Sequence, residues 1–160
     1  MRAFVIATLL AAGSVLADTP LQPPKDWSFE TKDGISVRGD LSEDRVEVRA
    51  GEAEPWIIEG FRRTAIPDDE GAFLLVPYAD NLIASNDPDF VVYEVFAAPG
   101  DKIGEVRLGD LLDPFYLVPA ASHYVWASNS HSWDGKSWTF STPDGGTWRI
   151  RPDPFTLILY

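Results

Sequence analysis

The stretch DRVEVRA, residues 44–50, sets Val46 and Val48 on one side and Arg45, Glu47 and Arg49 on the other. Successive side chains of a strand point to opposite faces, so this spacing predicts a half-buried strand with a charged outer face. The same period of two recurs along the chain. Trp27, Phe29 and Thr31 share one face of WSFET, and Ile35 and Val37 share one face of ISVRG. PWIIEGF (55–61), FVVYEVF (90–96), SHYVWAS (122–128), KSWTFST (136–142), GTWRIRP (146–152) and FTLILY (155–160) all read as strands, and 90–96 is the richest in β-branched and aromatic residues. GAFLLVPY (71–78) is apolar without a break, which predicts a central strand. Helical spacing occurs only in LGDLLD, residues 108–113, and Pro114 stops it. IPDDEG (66–71) and ADNLIASNDPD (79–89) read as loops. The expected class is all-β: about nine or ten short, mostly antiparallel strands in a meander, sandwich or barrel, with at most one short helix near 108–113.

Turn chemistry supports this reading. KDG (32–34) is a hairpin signal between two alternating runs. In PDGG (143–146), Pro and Asp suit the first positions of a type I turn, and Gly accepts the positive φ of the bulge that follows. If that turn closes, Trp138 and Phe140 on one strand meet Trp148 and Ile150 on the next. DEG before AFLLV and WDG before KSWTF repeat the acidic-glycine form at uneven intervals.

The string SWDGKSWTFSTPDGGTWRI looks like the inner hairpin of a propeller blade, and GAFLLVPYADN followed by DFVVYEVFAAPGDKIGEVRL looks like another. Over residues 68–152 the chain resembles small uncharacterised exported bacterial proteins built from blade-like β-meanders. The resemblance implies a fold type and no particular activity, so it assigns no functional residues. A complete propeller, with four to eight four-stranded blades, needs a longer chain than this one.

The first residues, MRAFVIATLLAAGSVLADTP, place one Arg before an apolar stretch, Ala3–Ala12, and put Val15 and Ala17 at the −3 and −1 positions of a small-residue cleavage site. This predicts a signal peptide over 1–17 and a protein that is secreted or periplasmic. A Pro-rich extended lead-in (18–25) and a single all-β domain (26–160) are expected to follow. No later stretch has the length of a membrane-spanning helix. The signal takes one Arg with it, leaving 12 Lys and Arg against 25 Asp and Glu, a net charge of −13. Nucleic acid and anionic membrane surfaces call for a basic patch, so this balance excludes them as expected partners. Cysteine is absent, so nine Phe, six Trp and five Tyr must supply the cohesion that disulfides give other exported domains.

Candidate site residues are few. Trp27, Trp56, Trp126, Trp138 and Trp148 sit in alternating strands and are expected in the core. Trp133 stands directly before a turn, in SWDG, where a side chain projects outward. An exposed indole beside polar groups is the composition of a sugar platform, so Trp133, Asp134, His131 and Tyr124 form the candidate ligand-binding set. His123 and His131, eight residues apart, would lie about 26 Å apart on one straight strand at ~3.3 Å per residue. They could share a metal, with Asp134 as third ligand, only if the chain turned near Asn129. No Cys completes a zinc set, so no metal or other cofactor is expected. DDE (68–70) and NDPD (86–89, with Asp87 and Asp89) lack the spacing of a calcium loop and read as turns. Ser122 and His123 are neighbours in a strand and face opposite ways, so they cannot act as nucleophile and base. With no catalytic motif, the expectation is a non-enzymatic exported β domain that binds a protein or polysaccharide. The alternatives are a small carbohydrate-binding module using exposed Trp, and a cryptic hydrolase built from loop carboxylates.

Overall fold

A computed structural model of the chain describes residues 23–78, 82–120, 123–128 and 130–160. The expected signal peptide, Ser122 and the turn at Asn129 lie outside these residues. The described chain is mostly β. Its strands are β1 (Trp27–Glu30), β2 (Ile35–Asp40), β3 (Arg45–Ala50), β4 (Trp56–Glu59), β5 (Ile66–Pro67), β6 (Phe73–Pro77), β7 (Leu82–Ile83), β8 (Val91–Ala97), β9 (Asp101–Arg107), β10 (Val118–Pro119), β11 (Tyr124–Val125), β12 (Ser132–Trp133), β13 (Trp138–Ser141), β14 (Thr147–Pro152) and β15 (Phe155–Leu159). One helical turn, α1 (Leu108–Leu111), and a 3-10 turn at Pro114–Tyr116 follow β9.

All the strand pairs are antiparallel, and they form four sheets. An N-terminal sheet runs β1-β2-β3-β4, a central sheet β5-β6-β8-β9 and a C-terminal sheet β12-β13-β14-β15. A small sheet orders β10-β11-β7. Among the described residues no sheet closes into a barrel, so the barrel drops out of the architectures expected from the sequence.

Two apolar clusters join the sheets. One collects Ile35, Val37, Val46, Val48 and Ile58 from the N-terminal sheet with Leu74, Val76 and Phe96 from the central one. The other collects Leu75, Tyr93, Val95 and Val106 from the central sheet with Trp138, Phe140 and Ile150 from the C-terminal sheet, and adds Trp126, Leu108 and Leu111. In β6, Leu74 and Val76 enter the first cluster and Leu75 the second; β8 gives Phe96 to the first and Val92, Tyr93 and Val95 to the second. A strand covered on both faces is apolar nearly throughout, which is why 71–78 has no polar face and 90–96 is interrupted only by Glu94, whose carboxylate pairs with Arg62 at 3.0 Å. The outer strands need only one apolar face. In β3, Val46 and Val48 are fully buried while Glu47 and Arg49 pair in solvent at 3.2 Å.

The C-terminal hairpin forms as expected, with Trp138 opposite Ile150 and Phe140 opposite Trp148. Its turn closes through Gly145 N–H donating to the Thr142 carbonyl at 3.0 Å, with Gly145 at φ 90°. Where the central and C-terminal sheets meet, the Phe155 ring lies over Gly104, and a Cβ there would come within 2.6 Å of it.

Three segments depart from the sequence reading. The expected loop at 66–71 contributes β5, and the expected loop at 79–89 contributes β7, whose Ile83 is buried. Segment 122–128 was expected as one strand; among its described residues only Tyr124–Val125 form a strand, and Trp126 and Ala127 are buried in the core. No helix among the described residues is long and apolar enough to cross a membrane.

Candidate functional site

Three turns converge to form a cleft of about 480 Å³. The β5–β6 turn of the central sheet brings Asp68, Asp69 and Glu70, with Phe73 behind them. The β12–β13 turn brings Trp133, Gly135 and Lys136. The end of β14 and the turn into β15 bring Arg151, Pro152 and Asp153. The last two turns lie at one end of the C-terminal sheet because β13 starts where β14 finishes, with Trp138 opposite Ile150. A cleft of this size falls within the range of small-ligand sites.

Trp133 is the aromatic wall. It stands opposite Trp138 across β12 and β13, with ring centroids 4.7 Å apart and planes 50° to one another. Trp138 is fully buried and Trp133 only half-buried, so the core ring props the cleft ring. Trp138 thus belongs to the core, while Trp133 packs against it and lines the cleft.

Asp68 is the buried carboxyl of the cleft. Its Oδ1 accepts from Phe73 N–H at 3.0 Å, and its own N–H donates to the Phe73 carbonyl at 3.2 Å. Burial and the neighbouring Glu70 charge push its pKa up against the N–H bonds of Gly71, Ala72 and Phe73. Asp69 and Glu70 are exposed on the rim, as are Lys136, Arg151 and Asp153. Among the described residues, none of these five side chains makes an ion pair or a side-chain hydrogen bond. Elsewhere Arg38, Arg62, Lys102 and Arg107 each meet a carboxylate, at 2.7, 3.0, 3.1 and 2.7 Å. The cleft is therefore a place where charge of both signs stands without a partner.

The other members of the sequence-derived set lie elsewhere. Asp134 adjoins the cleft, but its carboxylate is used in its own turn. It accepts from the N–H groups of Ser137 (2.8 Å) and Lys136 (3.0 Å) and lies 3.6 Å from Arg149. Partial burial works against this charge, and the Ser137 and Lys136 N–H bonds outweigh it, so the pKa is lowered. His131 faces the core: its Nε2 lies 2.6 Å from the Tyr93 hydroxyl, and its ring packs against Phe140. Burial raises the Tyr93 pKa, so the phenol keeps its proton. Tyr124 pairs with Pro119 and Ile83 in the small sheet and packs on the core. Asp87 accepts from Asp89 N–H at 2.9 Å in a local turn. Among the described residues, no three His, Asp or Glu side chains gather as a metal set.

Asp68, Asp69 and Glu70 were weighed from sequence only as a calcium loop and read as a turn, and Lys136, Arg151 and Asp153 were not singled out. Both acidic-glycine turns, DEG and WDG, were visible there, but nothing in the sequence says that they meet. No family model, curated protein or solved structure matches the chain.

Proposed function

We propose that this chain is an exported, non-enzymatic binding domain whose cleft takes a carbohydrate. The observation that carries the reading is the half-buried indole of Trp133, propped by Trp138 and flanked by charged side chains that no protein partner occupies. The apolar C–H face of a sugar ring covers an indole, while its hydroxyls need donors and acceptors at the rim. Lys136 and Arg151 offer donors; Asp69, Glu70 and Asp153 offer acceptors. The signal-like N-terminus supports a periplasmic or secreted location, where polysaccharides are abundant. The four-stranded meanders are the form in which propeller blades are built, which supports the blade-like resemblance.

Affinity electrophoresis against a panel of soluble polysaccharides tests this. Retardation on at least one is expected, and Trp133→Ala should abolish it without changing the circular dichroism spectrum. No retardation on any member would count against the reading. The feature that favours a protein partner instead is the exposed edge-to-face pair Phe115 and Tyr116, with Val118 beside it. Photocrosslinking from position 115 in the cell envelope addresses that alternative.

A further inference from the structure

The proposed saccharide cleft has a charge pattern that narrows its ligand. Four carboxyl groups, Asp68, Asp69, Glu70 and Asp153, line it against two cations, Lys136 and Arg151. The acids stand on both walls. Asp68, Asp69 and Glu70 follow β5 in the central sheet, and Asp153 follows β14 in the C-terminal sheet. A ligand lying on Trp133 between these walls meets carboxylates from two sides.

We infer that the cleft selects saccharides bearing a free amine, of the glucosamine type, over N-acetylated and uronic-acid sugars. The inference rests on the saccharide reading above. A protonated amine supplies the counter-charge that the cleft lacks, and an ammonium near the Trp133 ring gains a cation–π contribution as well. Lys136 and Arg151 then serve the uncharged ring and exocyclic oxygens. A uronic acid would put a further carboxylate among the four already there. The buried Asp68 favours the same ligand, since its ionised form has only backbone N–H groups to stabilise it.

Isothermal titration of the full chain tests this at mildly acidic pH, where the sugar amine is protonated. The probes are glucosamine oligomers, N-acetylglucosamine oligomers of equal length, oligogalacturonate and oligolysine. Glucosamine oligomers are expected to bind about tenfold tighter than their N-acetylated counterparts, the factor that about 1.4 kcal/mol supplies. Oligogalacturonate should not bind. The double variant Glu70→Gln/Asp153→Asn should lose the preference, so that the ratio of amine to N-acetyl affinity falls to about one whatever the affinity that remains. Both positions are exposed, so the fold should survive, and circular dichroism checks that. Equal affinity for the amine and N-acetyl forms overturns this inference and leaves the saccharide reading standing. Absence of binding to every oligosaccharide removes both. If oligolysine binds as well as glucosamine oligomers, or if the preference survives in Trp133→Ala, the attraction belongs to the acidic chain as a whole, and the inference fails.

Discussion

At the scale of the residue, the two tryptophans flanking the WDG turn separate packing from binding. Trp138 is fully enclosed, and Trp138→Ala should cost about 3–5 kcal/mol, the usual range for emptying a large aromatic site, read by urea denaturation. Trp133→Ala should cost far less stability and remove ligand binding. Two carboxylates give opposite pH dependences. Asp68 has a folded-state pKa above its ordinary value of 3.8, so the native state holds the proton more tightly than the unfolded chain. Its contribution to stability therefore falls as pH rises through that interval. The melting temperature of Asp68→Asn should improve relative to wild type as pH rises from below the carboxylate range to neutrality. Asp134 is the reverse case: its lowered pKa gives stability that is present above the unfolded value and lost on acidification. Asp134→Asn should accordingly be less stable than wild type at neutral pH, with the deficit closing at low pH. Trp133 was read as an outward side chain because it precedes a turn; it is half-buried, packing on the core while lining the cleft. His131 was not legible as a core contact, since its partner Tyr93 lies 38 residues away and no local pattern links them.

At the scale of the element, alternation and turn chemistry carried most of the information. The 136–151 hairpin closes as expected because PDGG places Pro143 and Asp144 at turn positions and Gly145 at φ 90°. Gly145→Ala should lose about 1 kcal/mol, because a side chain at positive φ is strained. Gly39 shows a feature that alternation could not reveal. It stands opposite Trp27 in the β1–β2 pair, and the indole lies across it, held by Trp27 Nε1 donating to the Arg62 carbonyl at 2.7 Å. Gly39→Val should displace the ring and destabilise the sheet by about 1–3 kcal/mol, as overpacking does. The two-residue strands β5 and β7 were read as loops because they are too short to show a period and owe their pairing to the neighbours they lie against.

At the scale of the molecule, the central sheet belongs to both apolar clusters, through residues of β6 and β8. Thermal unfolding should therefore be a single transition, lowered alike by Val48→Ala in one cluster and Phe140→Ala in the other; two separate transitions would show the clusters to be independent. Strand order, and with it the meeting of the three cleft turns, was beyond the reach of sequence. Each turn is written locally, while their convergence follows from how the sheets stack. The account stands or falls on Trp133 presenting its ring to that cleft. Acrylamide quenching of tryptophan emission, in wild type and Trp133→Phe, measures this directly. Acrylamide is neutral, so an acidic chain does not repel it. The account predicts a readily quenched component in wild type that is absent from the variant and is protected when a glucosamine oligomer is added. Low quenching that is identical in both proteins would place Trp133 in the core with Trp138 and contradict the account.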